Sequence, residues 1–321
     1  MRLLFMGSGG FAIPSLEALL DSSHQVVALI TQPDKPAGRG HDLRMPKTKS
    51  LALERGIPVH QPQKVRAEAA VELVRAIAPE AIVVVAYGQI IPASILEIPP
   101  RGTVNVHGSL LPRFRGAAPI QWAIARGETE TGVTTMLMDV GLDTGPILLQ
   151  KAIAIADEDT GGTLEAKLAP LGAELLLETL SRRQRGDLVP IPQDDAKATL
   201  APRIKKEDAL VDWSLPAGEI HNRVRAFNPW PVAFVPVDAG AAGGLRIWKT
   251  CVAAKRTAEA EPGAILAIER ERLTVACGGR SALTLEVVQP AGKGRMTASA
   301  FARGKRLAAG DFLGLAERPP L

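Results

Sequence analysis

Ala81-Ile82-Val83-Val84-Val85-Ala86 is six apolar residues in succession. A strand with one face in water alternates apolar and polar residues, so an unbroken apolar run predicts a strand covered on both faces. The run is far shorter than the roughly 18–20 apolar residues of a membrane helix, and no stretch of the chain reaches that length. A doubly covered strand needs helices above and below its sheet. The first half of the chain supplies them. Strand-like runs at 2–6, 25–31, 57–59, 104–106 and 133–138 interleave with helical patterns at 11–20, 49–55, 67–77, 119–125 and 164–183. This alternation predicts an α/β fold with a doubly wound sheet.

At 321 residues the chain exceeds what one hydrophobic core usually serves, which predicts two domains. Residues 1–185 would form the first. Residues 186–202, with three prolines and little periodicity, read as a linker. In 203–321 helical pattern is scarce beyond 219–226. Short β-like runs follow at 233–237, 245–249, 264–268, 273–276 and 283–288, several of them separated by glycine turns such as Gly243-Gly244 and Cys277-Gly278-Gly279. That pattern predicts a small β-rich domain in the form of a barrel. Charge divides along the same line. Residues 1–202 carry 20 Lys and Arg against 22 Asp and Glu (−2), and residues 203–321 carry 18 against 12 (+6). A basic second half fits a polyanionic partner, although solubility alone is an equally good reading of charge.

The two cysteines, Cys251 and Cys277, form no Cys-x-x-Cys, which argues against a disulfide framework and a cysteine-rich zinc site. The five histidines show no metal-ligand spacing, so no metal site is expected. The N-terminus reads as a first strand rather than a signal peptide, and a reducing cytoplasm is the expected location.

Chemistry concentrates at Asn105-Val106-His107-Gly108, at the end of an apolar run. Residues i and i+2 of a strand share a face, so Asn105 and His107 can aim an amide donor and a titratable imidazole at one point. Acyl transfer needs both: one group to hold an oxyanion and one to move a proton. Asp143 lies in the glycine-bracketed loop Asp139-Val140-Gly141-Leu142-Asp143-Thr144-Gly145, just past another strand. Ligands of open α/β sheets bind outside the carboxyl ends of strands, and a carboxylate there can orient a histidine. Two other motifs are weaker. Gly7-Ser8-Gly9-Gly10-Phe11-Ala12 formally matches a dinucleotide fingerprint, but Thr31 stands where an acidic ribose ligand is wanted, so a close-packed βα turn is the better reading. Asp143-Thr144-Gly145 and Asp159-Thr160-Gly161 echo the aspartic-protease triplet, yet they are near neighbours in an α/β half. Asp159-Thr160 reads instead as a helix cap. The proline- and glycine-rich stretch 33–49 carries five Lys and Arg, and could clamp a phosphate backbone or be a solvated loop.

Taken together, Asn105-Val106-His107-Gly108-Ser109-Leu110-Leu111-Pro112-Arg113-Phe114-Arg115-Gly116-Ala117-Ala118-Pro119 resembles the signature of the 10-formyltetrahydrofolate-dependent formyltransferase family. Leu142-Asp143-Thr144-Gly145 resembles the segment carrying the third member of its Asn–His–Asp set. Pro36-Ala37-Gly38-Arg39-Gly40 and Arg225-Ala226-Phe227-Asn228-Pro229-Trp230-Pro231 resemble the members that act on methionyl-tRNA. The first turn departs from the family in carrying extra glycines. The resemblance implies a Rossmann-like catalytic domain and an OB-like C-terminal barrel that binds tRNA. It implies catalytic Asn105, His107 and Asp143, and folate contacts at Ser109, Leu110, Leu111 and Pro112. Transfer tRNA would be reached by Lys35, Arg39, Arg44 and Lys47 of the basic loop and by Lys205 and Lys206. The implied donor is 10-formyltetrahydrofolate and the implied acceptor initiator methionyl-tRNA, with no metal and no membrane, and a monomer is expected. Four rival readings remain at this level: formyl transfer to a small amine, a hydrolase releasing formate from the same folate, a dinucleotide oxidoreductase, and a non-enzymatic RNA-binding protein.

Overall fold

The computed structural model describes residues 1–37, 42–237, 244–254 and 260–314. Contacts divide the chain into two units. The first comprises Met1–Ile120, Glu130–Ala154 and Leu164–Arg203. The second comprises Gln121–Thr129, Ile155–Thr163 and the described residues of Ile204–Leu321.

In chain order the elements through the first half are β1 (Arg2–Gly7), a 3-10 turn (Gly10–Ala12), α1 (Ile13–Leu20), β2 (Gln25–Ile30), β3 (Lys35–Ala37), β4 (Asp42–Arg44), α2 (Lys47–Glu54), β5 (Val59–His60), α3 (Glu68–Ile77), β6 (Ala81–Val85), α4 (Ala93–Leu96), β7 (Thr103–His107), α5 (Pro119–Ala125), β8 (Glu130–Leu137), β9 (Ile147–Ala154) and α6 (Gly161–Arg185). Seven strands form one sheet in the order β5-β2-β1-β6-β7-β8-β9. β5, β2, β1, β6 and β7 run parallel, and β8 and β9 add antiparallel on the β7 side. The order reverses between β1 and β6, the switch point where an open α/β sheet leaves a crevice at its carboxyl edge. All five residues of β6 are buried, as its apolar run predicts. Leu4, Met6, Ala28, Ile30, Ile82 and Val84 meet Val71 and Val74 from the apolar face of α3 in one core.

β9 escapes the hydrophobic pattern because it is an edge strand, with most of its residues partly or fully exposed. At the start of α6, Thr160 accepts from the Thr163 amide (3.1 Å) and Asp159 from the Thr163 hydroxyl (2.9 Å), the capping role read from the sequence. The stretch 186–202, read as a linker, is not slack. Ile191 pairs with Ile147, Leu200 bridges to Arg115, and the Ala201 amide donates to the Arg115 carbonyl.

The second unit holds α7 (Ala217–Ala226), β10 (Phe234–Val235), β11 (Leu245–Val252), β12 (Ile265–Ile268), β13 (Leu273–Cys277), β14 (Ser281–Gln289), β15 (Met296–Thr297) and α8 (Ala298–Lys305). The β-rich domain takes the form of an antiparallel sheet ordered β10-β11-β14-β13-β12, with β15 beside β14. Its core joins Ile220 and Val224 of α7 and Phe301 of α8 to Leu245, Ile247, Leu273, Val275, Leu283 and Leu285. α8 was not legible in the sequence. Its eight residues, ASAFARGK, are mostly small, and Thr297 caps it by accepting from the Ala300 amide. Two short excursions from the first half of the chain belong to this unit, and in one of them Trp122 meets Phe227 edge-on at 6.2 Å.

Candidate active site

β7 ends at the carboxyl edge of the sheet and carries Asn105 and His107 on one face, as their i, i+2 spacing requires. Both are nearly buried, 8% and 6% exposed. Their obligations differ sharply. The His107 ring has a polar neighbour on each side, one of them at hydrogen-bonding distance. Its Nε2 lies 2.9 Å from the Phe114 carbonyl, and its Nδ1 lies 3.6 Å from Asp143 Oδ2. A carbonyl can only accept, so Nε2 carries a hydrogen in this contact. The Asn105 carboxamide makes no hydrogen bond to any described residue. The residue as a whole is 8% exposed, and its amide atoms are not among the fully enclosed unpartnered ones, so a ligand can reach and complete them.

Asp143 is fixed by its loop. Its backbone is left-handed (φ 53°), its Oδ2 accepts from the Gly116 amide at 2.8 Å, and its carbonyl accepts from Gln193 Nε2 at 2.8 Å. Gly116 has φ 125°, and a Cβ there would come within 2.6 Å of the Ala201 oxygen. A glycine is therefore required at the point that donates to Asp143.

The segment after β7 turns back on itself and is tied to β8 and β9. The Ser109 hydroxyl donates to the Arg113 carbonyl (2.7 Å), and the Ser109 carbonyl accepts from Thr134 (2.6 Å). Thr134 Oγ1 also accepts from the Leu111 amide, and Gln150 donates to both the Leu111 carbonyl and Thr134. Ser109 is fully buried and its side chain is spent inside the turn. Leu111 is buried, and Leu110 and Pro112 are half-buried. What this turn presents is backbone and aliphatic surface.

Arg113 and Arg115 separate in role. Arg113 is exposed and lies over the Phe114 ring at 5.3 Å. Arg115 is only 7% exposed, and its guanidinium is consumed by Gln193 Oε1 (3.0 and 2.8 Å) and Asp195 (2.7 Å). It is a structural cation rather than one offered to a ligand. Thr199 completes the arrangement by accepting from the Phe114 amide at 2.9 Å. Sequence reasoning missed Gln193, Asp195 and Thr199 because they act through polar and backbone contacts that leave no apolar period. The Phe114 carbonyl and the Gly116 amide are backbone groups that carry no residue signal at all.

The glycine turn after β1 is closed. Ser8 bonds Thr31 (3.0 Å), Thr31 bonds Thr48 (3.1 Å), and Thr48 donates to the Gly7 carbonyl (3.0 Å). Thr31 and Thr48 are fully buried. A Cβ on Gly7 would meet Phe5 and the Val85 carbonyl at 2.7 Å. The fingerprint serves close packing here, and the position wanted for a ribose carboxylate is a hydroxyl committed on both sides.

Of the residues expected at transfer RNA, Lys35 and Lys47 are exposed in the first unit, and Lys205 and Lys206 are exposed in the second. Arg44 pairs with Lys35 across β3 and β4 through the backbone. Arg39 lies outside the described residues. Lys49 is not free, because it pairs with Asp34 at 2.7 Å. Hydrogen bonds from Lys49 and then Gln61 hold the Asp34 carboxyl below its ordinary pKa. Among the described residues no group of three or more His, Cys, Asp and Glu could hold a metal, and no helix is long and apolar enough to cross a membrane.

Residues 1–180 match the family model described as formyl transferase, and residues 203–306 match that described as formyl transferase, C-terminal domain. A methionyl-tRNA formyltransferase of Trichlorobacter lovleyi is 49% identical over 312 residues, covering 97% of this chain and 96% of its own. One of Pelobacter propionicus is 50% identical over 319 residues, covering 99% and 98%. Among solved structures, a sugar 3N-formyl transferase determined in the presence of dTDP and 5-N-formyl-THF has a TM-score of 0.66 at 18% identity, over 92% of this chain and 99% of its own. HypX from Aquifex aeolicus in complex with tetrahydrofolic acid has a TM-score of 0.59 at 20% identity, over all of this chain and 50% of its own. At those identities the two structures bear on the fold.

Proposed function

The chain belongs to the formyl transferase family, and from that premise we propose how its residues carry out the reaction. The enzyme transfers the formyl group of 10-formyltetrahydrofolate to the α-amino group of methionine esterified to initiator tRNA, a step of translation initiation. The observation that carries the mechanism is the unpartnered Asn105 carboxamide, on a residue only 8% exposed, beside the His107 ring that the Phe114 carbonyl holds.

An amine that attacks a formyl carbon builds negative charge on the formyl oxygen, and the attacking nitrogen must shed a proton. Asn105 offers the oxygen an N–H with no competing obligation. A His107 ring with hydrogen on both nitrogens satisfies the Phe114 carbonyl and faces the Asp143 carboxylate, and it keeps positive charge next to the oxyanion. Asp143 orients that ring and assists the proton on its way, through water, from the amine toward the departing folate nitrogen. The nucleophile belongs to the substrate, so no serine or cysteine nucleophile is required. The turn of Ser109, Leu110, Leu111 and Pro112 receives the folate through its backbone and aliphatic surface. Lys35, Arg39, Arg44 and Lys47, with Lys205 and Lys206, meet transfer-RNA phosphates. The enzyme acts as a cytoplasmic monomer and uses no metal.

Incubation with 10-formyltetrahydrofolate and methionyl initiator tRNA should yield formyl-methionyl-tRNA. Release of formate alone, or formylation of an amino-sugar nucleotide in preference to the tRNA, would overturn the assignment of acceptor. Replacing Lys35 by alanine should reduce the slope of log K against log salt for tRNA binding by about one. An unchanged slope removes Lys35 from the set of phosphate contacts.

A further inference from the structure

The second unit contains a cavity of about 250 Å³ that the reaction does not use. That is just below the roughly 300–1,000 Å³ of drug-sized pockets and suits one monomer unit of a larger ligand. Its helical wall is His221, Val224, Arg225 and Asn228, the i, i+3, i+4, i+7 face of α7 and the residues just beyond it. Its strand wall is Trp248, Lys249 and Thr250, three consecutive residues of β11.

Consecutive residues of a regular strand point to opposite faces, so three in a row cannot all line one cavity. β11 is not regular here. Ile247 pairs with Val288 and Lys249 with Val287, leaving Trp248 unopposed, and a second register shift falls between Lys249 and Thr250. A bulge re-aims side chains, and this one turns an indole into the cavity. The indole N–H is tied to Gln289 at 3.0 Å, which fixes the ring plane. Exposed Arg295 lies over its face, 3.5 Å from the centroid.

The polar edge is unfinished. Arg225 holds the 155–163 segment by donating to the carbonyls of Ala156 and Asp159, but its Nε is buried with no partner. Asn228 donates to the Trp248 carbonyl, and its own side-chain oxygen has no partner among the described residues. His221 Nδ1 meets Thr250 at 2.9 Å, which leaves Nε2 facing outward from that bond. Burial, and then the charge of Arg225, lowers the His221 pKa, so the ring presents a neutral donor or acceptor. Lys249 is paired with Glu286. An aromatic floor under a displaceable guanidinium, with open hydrogen-bonding groups around it, is the chemistry that receives a stacked heterocycle bearing an anionic group.

We propose that this cavity holds one nucleotide of the RNA substrate. The base stacks on Trp248 in place of Arg295, and the freed guanidinium pairs with the phosphate. The unpartnered Asn228 oxygen and the Glu158 carboxylate at the rim accept from an exocyclic amine, which favours adenine or cytosine over uracil. This inference rests on the formyl-transfer reading for the identity of the RNA.

The test uses the full-length enzyme. Formyl transfer is measured against methionyl initiator tRNA concentration for wild type, Trp248→Ala, Trp248→Phe and Arg295→Ala. Tryptophan fluorescence is titrated with AMP and UMP, with and without uncharged initiator tRNA. Trp248→Ala should raise KM about 5- to 100-fold at unchanged kcat, as loss of one stacked base requires. Trp248→Phe should recover most of the affinity while losing the AMP-dependent quench, and Arg295→Ala, at an exposed position, should raise KM without unfolding. AMP should quench more strongly than UMP and be displaced by the tRNA. Quenching by AMP that the tRNA does not displace, with KM unmoved in Trp248→Ala, would overturn the RNA source and leave a free-nucleotide site. Unchanged KM together with no quench at millimolar AMP overturns the cavity altogether. Absence of formyl-methionine from the wild type would instead be a failure of the formyl-transfer reading, which AMP quenching does not depend on.

Discussion

Two loops leave the carboxyl edge of the same sheet, and both follow strands whose ends carry a recognisable ligand motif. The loop after β1 is closed off by its neighbours. Ser8, Thr31, Thr48 and the Gly7 carbonyl form a hydroxyl chain with nothing left over. The loop after β7 is built with equal care, through Phe114, Gly116, Thr134 and Gln150, yet its care goes into leaving one amide, Asn105, without a partner. A motif becomes a site when the surrounding hydrogen bonds hold a polar group in place and stop short of satisfying it. A motif whose groups are all satisfied is scaffolding.

The strongest way to break that contrast is to remove the unsatisfied group. Asn105→Ala should lower kcat by about 10²–10³, the usual effect of losing one oxyanion donor. Because the carboxamide bonds nothing in the fold, thermal stability should hold or rise. Near wild-type turnover would place the oxyanion elsewhere. Asp143→Asn comes next. Asparagine tolerates the left-handed backbone at this position, so the change tests charge rather than fold. Turnover should fall about 10²-fold with KM for both substrates little changed, and unaltered kcat would deny Asp143 its orienting role.

Gln193→Ala sharpens the comparison from outside the motif. It leaves the buried Arg115 guanidinium short of one acceptor and two loop carbonyls short of a donor. Unfolding in urea should show a loss of about 1–3 kcal/mol, with turnover lowered about 10-fold as the Asp143 loop loosens. If stability drops while kcat is untouched, the segment braces the fold without positioning the site. Smallest is Thr31→Val in the closed loop. It should cost about 1 kcal/mol of stability and leave kcat and KM as they are. Calorimetry should find no NAD binding in either form, and measurable binding would return the glycine turn to the list of sites.

How much of this could be read beforehand follows from which groups carry a signal. β6 was legible because burial on both faces forces an apolar run, and Asn105 with His107 because strand geometry turns an i, i+2 spacing into a shared direction. Asp143 needed more than spacing, since nothing local ties a loop carboxylate to a histidine 36 positions earlier, and resemblance supplied the link. The edge strand β9 buries too little of its surface to impose a period, and α8 buries an i, i+3, i+4 face of Ala298, Phe301 and Ala302 whose two alanines give it little apolar contrast. The bulge at Trp248 is a property of pairing between two strands, and neither strand announces it alone.

The bracing of the catalytic loop by residues 193–201 also sets an order of events during synthesis. A chain emerging from the ribosome has every strand of the seven-stranded sheet once residue 154 is out, and its long helix once residue 185 follows. At that stage Arg115 has neither Gln193 nor Asp195, and the Phe114 amide has no Thr199. The scaffold can consolidate while the reactive loop is still without its clasp, so a nascent chain stopped between residues 185 and 193 would own the whole architecture of the site and lack its working geometry.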